Sequence, residues 1–305
     1  MSDITRRDFM KDVAALGAAG FANAEAVEQS VMVERLIPRS NERLPVVGVG
    51  TWRTFDPPEI TPETLAPLEA TLRVFHNAGG KVIDSSPMYG KSEDVTGRVS
   101  KKLGINDELF IATKVWTTGR DAGIRQMEES MRLLGRTRID LMQIHNLVDW
   151  RTHIVTLRDW KEKGRIRYWG ITHYEPSAYA DLERVMRQEK PDFVQLAYSI
   201  AVRDADRRVL PLARELDIAV LVNRPFDGGD LFSRARRKEL PAFVRSFANS
   251  WAQAFLKFII AQPAVTCAIP GTGNPDHMRD NVEGGIGRLP APDECRELVK
   301  FLGAS

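Results

Sequence analysis

Apolar and polar positions alternate along the chain in a way that predicts a regular succession of strands and helices. From Val31 onward, short apolar runs predict buried strands, and stretches with helical spacing predict amphipathic helices, for example over 122–134 and 155–163. Apolar runs at 31–37 and 44–47, on either side of the polar turn 39–42, predict a short N-terminal β-hairpin. The other apolar runs predict eight strands, over 48–51, 81–84, 109–114, 139–145, 166–172, 193–195, 218–222 and 265–269.

The spacing of these strands predicts an α/β fold. Strands two to seven begin roughly every 26 to 30 residues, which is the length of a strand and helix joined by short loops. Eight such units favour a single closed (β/α)8 barrel, the TIM barrel, as one domain over residues 27–305. A doubly wound open sheet is the alternative, but the Gly-x-Gly-x-x-Gly turn that usually follows an early strand there is missing. A longer polar segment, 227–241, separates the seventh and eighth strands.

Charge and cysteine content narrow the possible functions. The 305 residues have a net charge of +2, too little basic surplus to indicate a nucleic-acid partner. The basic run from Arg234 to Lys238 is better explained as a solvated helix face than as a binding patch. The two cysteines, Cys267 and Cys295, are too few for a disulfide framework.

The N-terminal residues resemble a twin-arginine export signal. Arg6 and Arg7 precede an aromatic residue, a lysine and the weakly apolar stretch 13–24, and small residues suited to a signal peptidase follow up to Ala26. Residues 1–26 are therefore interpreted as a signal peptide, and the protein is expected to use the twin-arginine export machinery and reach the periplasm. It would be cytoplasmic if the signal is not used. The stretch is too short and too weakly apolar for stable membrane insertion.

Polar side chains stand where the predicted strands end. In a barrel of this kind the carboxyl ends of the strands form one rim, and catalytic groups lie there. Six strand ends that all carry polar groups are hard to explain by solubility alone, and the set predicts an active site. These groups are Asp84, Lys114, His145 with Asn146, Thr172 with His173, Gln195, and Asn223 with Arg224.

Tyr89 follows Asp84 in the same loop and is the predicted proton donor. Lowering a tyrosine pKa from about 10 towards 7 requires roughly 4 kcal/mol. One cation about 4 Å away supplies about that much at an effective dielectric constant of about 20. We therefore expect Lys114, held by Asp84, to make Tyr89 an acid near neutral pH, with His145 orienting the reacting oxygen.

Two other classes of function compete with this interpretation. Asp84, His145 and His173 are suitable ligand types for a metal-dependent hydrolase, but a lysine in the same cluster would oppose a divalent ion, and no metal site is predicted. A non-catalytic or slow nucleotide-binding regulator or redox sensor with the same barrel is the second alternative. Aromatic residues just past strand ends suggest an apolar substrate pocket: Trp52, Trp116 and Trp150.

The sequence resembles the aldo-keto reductase superfamily over nearly its whole length, from about Arg35 to Phe301. An Asp-x-x-x-x-Tyr-Gly loop followed by Lys and His at later strand ends is specific in combination. The similarity rests on the segments 49–52, 83–93, 111–114, 140–145, 166–172 and 268–271.

The resemblance implies reversible reduction of aldehydes and ketones with a nicotinamide cofactor at the barrel mouth. The family's catalytic tetrad corresponds to Asp84, Tyr89, Lys114 and His145. The positions that would bind the cofactor are Gly50, Thr51, Asp84, Thr172, His173, Gln195, Asn223, Arg224, Pro225, Phe226, Ile269, Pro270, Thr272, Asp280 and Asn281. NADP(H) is favoured and NAD(H) is possible, and the family default is a monomer.

Three departures from the family concern the cofactor. His173 replaces an asparagine that contacts the carboxamide, and Asn223 replaces an aromatic residue that stacks on the nicotinamide ring. Arg224 is expected either to stack there or to bind pyrophosphate. Segment 271–277 lacks the lysine or arginine that usually binds the 2′-phosphate of NADP. If the protein is exported, we expect the cofactor to be held tightly, with segment 227–241 closing over its pyrophosphate.

Overall fold

The computed structural model describes residues 31–304, so the predicted signal peptide lies outside the described residues. A short antiparallel hairpin pairs strand β1 (Glu34–Leu36) with β2 (Arg43–Pro45). Eight parallel strands follow in one sheet, in which every strand pairs with its neighbours in the sequence. They are β3 (Val49–Gly50), β4 (Val82–Asp84), β5 (Phe110–Val115), β6 (Ile139–Ile144), β7 (Ile166–His173), β8 (Phe193–Ala197), β9 (Ala219–Asn223) and β10 (Cys267–Ala268).

Helices connect the strands and surround the sheet. Their inner faces are apolar and buried, as at Met127, Met131 and Leu134. These helices are therefore stabilised mainly by packing their apolar faces against the strands. The described helices are α1 (Pro62–Asn77), α2 (Ser92–Lys102), α3 (Arg120–Leu134), α4 (Trp150–Glu162), α5 (Tyr179–Glu189), α6 (Val209–Glu215), α7 (Asp230–Ala235), α8 (Ala242–Arg245), α9 (Trp251–Ala261), α10 (Pro275–Glu283) and α11 (Pro292–Phe301).

The first and last strands of the sheet meet and close it. Val47 forms a parallel bridge with Ala268, and Gly50 forms another with Gly271. The Gly50 amide donates to the Pro270 carbonyl at 3.0 Å. A Cβ on Gly50 would lie 3.0 Å from the Ile269 carbonyl oxygen, so the two chains approach this closely because residue 50 is glycine. The barrel is therefore continuous.

The hairpin closes the amino-terminal end of the barrel. Ile37 and Leu44 are buried and belong to a cluster with side chains inside the barrel, among them Phe110 and Phe193, which begin β5 and β8. The larger apolar cluster lies between the strands and the surrounding helices. With its floor filled by side chains, the barrel can accept a ligand from the carboxyl ends of its strands.

These observations confirm the predicted (β/α)8 barrel with a preceding hairpin.

The segment 227–241 contains α7, whose Leu231 and Ala235 are buried in the core. None of the helices among residues 31–304 is long and apolar enough to cross a membrane.

Candidate active site

A buried ion pair lies at the carboxyl end of the barrel. Asp84 is the last residue of β4, and Lys114 is the fifth residue of the neighbouring β5. The Lys114 Nζ donates to Asp84 Oδ2 at 2.6 Å and to the Ser85 carbonyl at 2.7 Å. Burial alone would lower the pKa of Lys114, but Asp84 and Tyr89 outweigh burial and raise it above its ordinary value. Lys114 is therefore a charged ammonium in a site closed to water.

The second oxygen of Asp84 is held by two amides. Gln143 Nε2 donates to Asp84 Oδ1 at 3.1 Å, and Gln195 Nε2 donates to the same oxygen at 2.7 Å. Gln195 Oε1 in turn accepts from Asn223 Nδ2 at 3.2 Å. Gln143 was not among the predicted site residues. The sequence could have indicated it, because Gln143 is a polar residue between two apolar ones, Met142 and Ile144, near the end of its strand.

Tyr89 and His145 lie beside this ion pair. The Lys114 Nζ is 5.1 Å from the centre of the Tyr89 ring, and the rings of Tyr89 and His145 meet edge to face with centres 5.9 Å apart. Tyr89 is half-buried. The structure thus brings all four predicted tetrad residues together.

The pKa of Tyr89 differs from the prediction. Burial raises it above the ordinary value of 10.0, and the lowering by Lys114 does not compensate. The prediction that Lys114 alone brings Tyr89 near neutrality is wrong, because it ignored the loss of hydration and the opposing charge of Asp84. Tyr89 is consequently protonated at neutral pH, which is the state that a proton donor requires.

His145 is a neutral imidazole. Burial, followed by the charge of Lys114, lowers its pKa from 6.5 to about 3. Its Nδ1 lies 3.2 Å from the Ser86 hydroxyl. When that hydroxyl donates to Nδ1, the proton of the ring is on Nε2, which can then donate to a substrate oxygen.

Loop contacts fix the position of Tyr89. The Ser92 hydroxyl donates to the Tyr89 carbonyl at 2.7 Å, and the Lys91 amide donates to Asp56 Oδ1 at 2.9 Å. Between them, Gly90 has a φ of 58°, and a side chain there would collide with the Asp56 carboxylate. The loop after β3 therefore holds the loop that contains Tyr89. Asp56 gave no signal in the sequence.

The ends of β7 and β9 form the opposite half of the mouth. His173 Nδ1 accepts from the Glu175 amide at 3.2 Å, so a neutral His173 has its proton on Nε2. The His173 ring stacks on Tyr174 with centres 6.0 Å apart, and the Arg224 guanidinium lies 5.4 Å from the centre of the Tyr174 ring. Arg224 thus stacks on a tyrosine of its own chain. The pKa of His173 is lowered by burial.

Two residues predicted to bind the cofactor, Thr51 and Thr172, form hydrogen bonds within the protein through their hydroxyls. Thr51 is fully buried, and its hydroxyl lies 3.1 Å from the Asp84 carbonyl and 2.9 Å from the Ser85 hydroxyl. Thr51 thus supports the end of β4, and its place beside the cofactor stays a prediction. The Thr172 hydroxyl accepts from the Asn146 amide at 3.2 Å.

The predicted adenine-side residues lie around α10. Asp280 accepts from the Ser250 hydroxyl at 2.7 Å and from Gln253 Nε2 at 2.7 Å, which ties α10 to the start of α9. Asn281 is buried beside it, and Thr272 accepts from the Asn274 amide at 3.1 Å.

At the other positions predicted to bind the cofactor, the residues pack through apolar side chains or form backbone hydrogen bonds. Phe226 packs on Phe232, with ring centres 4.9 Å apart. Ile269 is 4% exposed, and its amide donates to the Val222 carbonyl. Pro225 is buried directly after Arg224, and Gly50 and Pro270 form the seam that closes the barrel.

The three predicted pocket tryptophans separate into two groups. Trp52 and Trp116 are 46% and 42% exposed just past the ends of β3 and β5, and Trp116 is 6.3 Å from the His145 ring. Trp150 instead borders a groove between α4 and α5, together with Arg158 and Glu189. The prediction for Trp150 is therefore wrong, because as the first residue of a helix it packs along the outside of the barrel.

The geometry disfavours the metal-hydrolase alternative. Both carboxylate oxygens of Asp84 already accept hydrogen bonds, one of them from a lysine cation. Over residues 31–304 no three His, Cys, Asp or Glu side chains are grouped closely enough to hold a metal ion.

Comparison with known proteins identifies the family. The aldo/keto reductase family model matches residues 46–292, and the chain belongs to that family. It is 25% identical over 264 residues to methylglyoxal reductase YeaE of Escherichia coli, covering 82% of this chain and 89% of that protein. It is 28% identical over 249 residues to an aldo-keto reductase of Mycobacterium sp. strain JLS, covering 79% and 83%.

Solved structures show the same fold. An aldo-keto reductase from Klebsiella pneumoniae in complex with NADPH superposes with a TM-score of 0.71 at 23% identity, covering 90% of this chain and 97% of that one. The holo form of AKR11C1 from Bacillus halodurans gives a TM-score of 0.70 at 21% identity, covering 89% and 96%. The predicted membership of the aldo-keto reductase superfamily is confirmed.

Proposed function

We propose that this protein reduces aldehyde or ketone carbonyls with a nicotinamide cofactor, NADP(H) in preference to NAD(H). The observation that supports this most strongly is the arrangement around Tyr89. A protonated hydroxyl, a neutral imidazole and a buried ammonium converge at one rim, beside a carboxylate that is fully hydrogen-bonded. The preference for NADP(H) rests on the family and on relatives solved with NADPH or NADP.

The half of the mouth formed by β7–β9 fits the nicotinamide carboxamide. Asn223 Oδ1 is buried without a hydrogen-bond partner among the described residues, so it can accept from an amide N–H. His173 Nε2–H can donate to the amide oxygen, and we expect Arg224 to contact the pyrophosphate. When bound, the cofactor supplies a hydride to the carbonyl carbon.

The chain's own residues complete the reaction at the carbonyl oxygen. His145 Nε2–H donates a hydrogen bond that orients this oxygen, and Tyr89 transfers its proton to it as negative charge develops there. The Lys114 ammonium stabilises the tyrosinate that forms, and Asp84 keeps Lys114 in place. Because these groups are held before substrate arrives, little reorganisation accompanies the step.

The test is oxidation of NADPH and NADH with a panel of aldehydes, comparing wild type with Tyr89→Phe. Loss of a general acid should lower kcat by about a hundredfold or more, while NADPH affinity measured by fluorescence stays the same. Tyr174→Phe is a matched control for removal of a tyrosine hydroxyl from the rim. A wild type that binds NADPH but is inert throughout would support the regulatory alternative, and a fully active Tyr89→Phe would refute the assigned role.

We also propose that residues 1–26 direct export of the folded monomer through the twin-arginine machinery, and that the cofactor travels bound inside the barrel. The support is the Arg6-Arg7 pair, the weakly apolar stretch after it and the small residues that follow. Cell fractionation of wild type and an Arg6→Lys/Arg7→Lys variant tests this. Wild type should lie in the periplasm in a shortened form and the variant in the cytoplasm. Identical cytoplasmic location of both would refute export.

Native mass spectrometry of the purified protein tests the remaining parts of this proposal. It should show a monomer with one nicotinamide cofactor retained. A dimer would refute the monomer, and a cofactor-free protein with micromolar or weaker affinity would refute tight retention.

A further inference from the structure

One buried carboxyl beside the candidate active site takes no part in the proposed proton transfer. Glu93 is the second residue of α2 and is 2% exposed. Its Oε1 accepts from the Thr113 hydroxyl, and its Oε2 accepts from the Ser130 hydroxyl at 3.0 Å. Burying a carboxyl costs free energy that burying an apolar side chain of similar size does not. Stability alone therefore does not account for a glutamate at this position.

Thr113 connects Glu93 to the strand that carries Lys114. Successive side chains of a strand point to opposite faces. Lys114 reaches the Asp84 carboxylate on the inner face of β5, and Thr113, the residue before it, reaches α2 on the outer face. Because β5 pairs with both β4 and β6, its position is fixed from two sides. Glu93 thus attaches α2 to a fixed strand, directly beside the residue that forms the buried ion pair.

Glu93 is also joined to Tyr89 through its neighbour in α2. Ser92 precedes Glu93, and its hydroxyl and its amide donate to the Tyr89 carbonyl at 2.7 and 3.1 Å. The Tyr89 amide donates to the Ser86 carbonyl at 3.0 Å, which closes the turn. The start of α2 and the turn that contains Tyr89 are therefore one connected unit, and Glu93 bonds this unit to β5.

A close contact between two helices supplies the second hydroxyl. Gly97 lies one turn after Glu93 on the same face of α2, and a Cβ on Gly97 would overlap the Leu133 carbonyl oxygen of α3. This approach brings Ser130 of α3 to the Glu93 carboxyl. The Ser130 bond therefore holds Glu93 to the helix layer, whereas the Thr113 bond holds it to the barrel strand.

We propose that Glu93 is a positioning residue that sets the distance between the Tyr89 hydroxyl and the Lys114 ammonium. This role rests on the proposed function, in which Tyr89 donates a proton and Lys114 stabilises the tyrosinate. The contacts of Ser92 and Glu93 join the backbone of Tyr89 to the strand segment that carries Lys114. Because catalysis depends steeply on the placement of the reacting groups, loss of the bond to β5 slows the reaction without weakening binding.

The test measures aldehyde reduction with NADPH in two variants of Glu93. Glu93→Met has a similar volume without an oxygen, and it should lower kcat about tenfold while KM for NADPH and for the aldehyde changes little. Glu93→Gln should keep a rate near wild type, because one hydroxyl can donate to its oxygen and the other can accept from its nitrogen. Since proton transfer is the step that slows, the ratio of kcat in H₂O to kcat in D₂O should rise only in Glu93→Met.

Two further variants form a matched pair. Thr113→Val and Ser130→Ala each remove one hydroxyl that donates to Glu93, but only Thr113 lies in β5. Thr113→Val should lower kcat about tenfold, and Ser130→Ala should reduce aldehydes like wild type. Urea denaturation shows which variants are folded, and Thr113→Val tests the proposal if Glu93→Met does not fold.

A wild-type kcat in folded Glu93→Met or Thr113→Val would overturn the positioning role, with carbonyl reduction still established. Equal losses in Glu93→Met and Glu93→Gln, or in Thr113→Val and Ser130→Ala, would also overturn it, because the bond to β5 would not be the cause. The same holds for a slow Glu93→Met whose ratio in H₂O and D₂O is that of wild type. A wild type that reduces no aldehyde would overturn both the positioning role and the proposed function.

Discussion

Lys114 and Asp84 form a pair of opposite charges with almost no exposure to water, at 0% and 4% of their side-chain surfaces. Removing one member leaves the other as an isolated buried charge, which costs far more than the pair contributes. The pair is therefore a requirement for stability as well as for the proposed reaction.

Lys114→Met should lower the free energy of unfolding by about 3–5 kcal/mol, because Asp84 is left without its counter-ion. Urea denaturation measures this loss. The double variant Asp84→Asn/Lys114→Met has no buried charge and should be more stable than the single variant. If the double variant is instead the less stable of the two, buried charge is not the cause.

Two buried groups give stability opposite dependences on pH. His145 has its pKa lowered from 6.5 to about 3, so between those values only the unfolded chain binds its proton, and stability rises with pH. Glu93 is buried beside Ser130, and burial raises its pKa from 4.5 to about 7. Between these values only the folded protein holds the proton of Glu93, so stability falls with pH.

The two effects oppose each other from pH 4.5 to 6.5, and single variants should separate them. Relative to wild type, Glu93→Gln should gain stability and His145→Gln should lose it as pH rises through this window, by up to about 1.4 kcal/mol per pH unit. Urea midpoints at three pH values give these differences. A stability difference from wild type that does not change with pH, for either variant, would contradict the argument for that residue.

At the scale of elements, two loops are joined across the rim. The bond from the Lys91 amide to Asp56, 2.9 Å long, connects the loop after β3 to the loop that contains Tyr89. Asp56 has no part in proton transfer. Its effect on the reaction is through the position of the Tyr89 hydroxyl.

Asp56→Ala should therefore lower kcat by about tenfold to a hundredfold, because a small displacement of a reacting group is enough for such a loss. KM should change little. Asp56→Asn keeps an oxygen that can accept from the Lys91 amide and should recover most of the rate. Steady-state kinetics of both variants distinguish positioning from general destabilisation, which would not depend on that oxygen.

The strands and three of the four tetrad residues were accessible from sequence, because polar residues at the ends of apolar runs mark the rim of a parallel barrel. Asp84, Lys114 and His145 all have this signature. Contacts between distant loops, such as that of Asp56, have no local signature. The direction of the Tyr89 pKa also escaped prediction, since it depends on how deeply the hydroxyl is buried and how fully Lys114 is already paired.

At the scale of the whole molecule, the barrel has one closed end. Leu44 and Ile37 fill the amino-terminal end from the hairpin, where they meet side chains of the barrel interior. The opposite end holds the candidate site. Substitutions in the packed amino-terminal end should therefore change stability without changing the chemistry at the other end.

Leu44→Ala tests this separation. Leu44 is 1% exposed, and its truncation should cost about 2–5 kcal/mol of stability through the cavity it leaves. Leu36→Ala is the control from the same hairpin, because Leu36 is 46% exposed and should have little effect. Denaturation curves give the stabilities. Aldehyde reduction by folded Leu44→Ala should match wild type, and a large loss of kcat would show that the two ends are coupled.

The hairpin is also bonded to the far end of the chain. The Val33 amide donates to the Gly285 carbonyl at 2.8 Å, and Arg35 Nη1 donates to the Gln262 carbonyl at 2.8 Å. On a ribosome, these two bonds cannot form until Gln262 and Gly285 have been synthesised. The hairpin can therefore dock onto the barrel only late in synthesis.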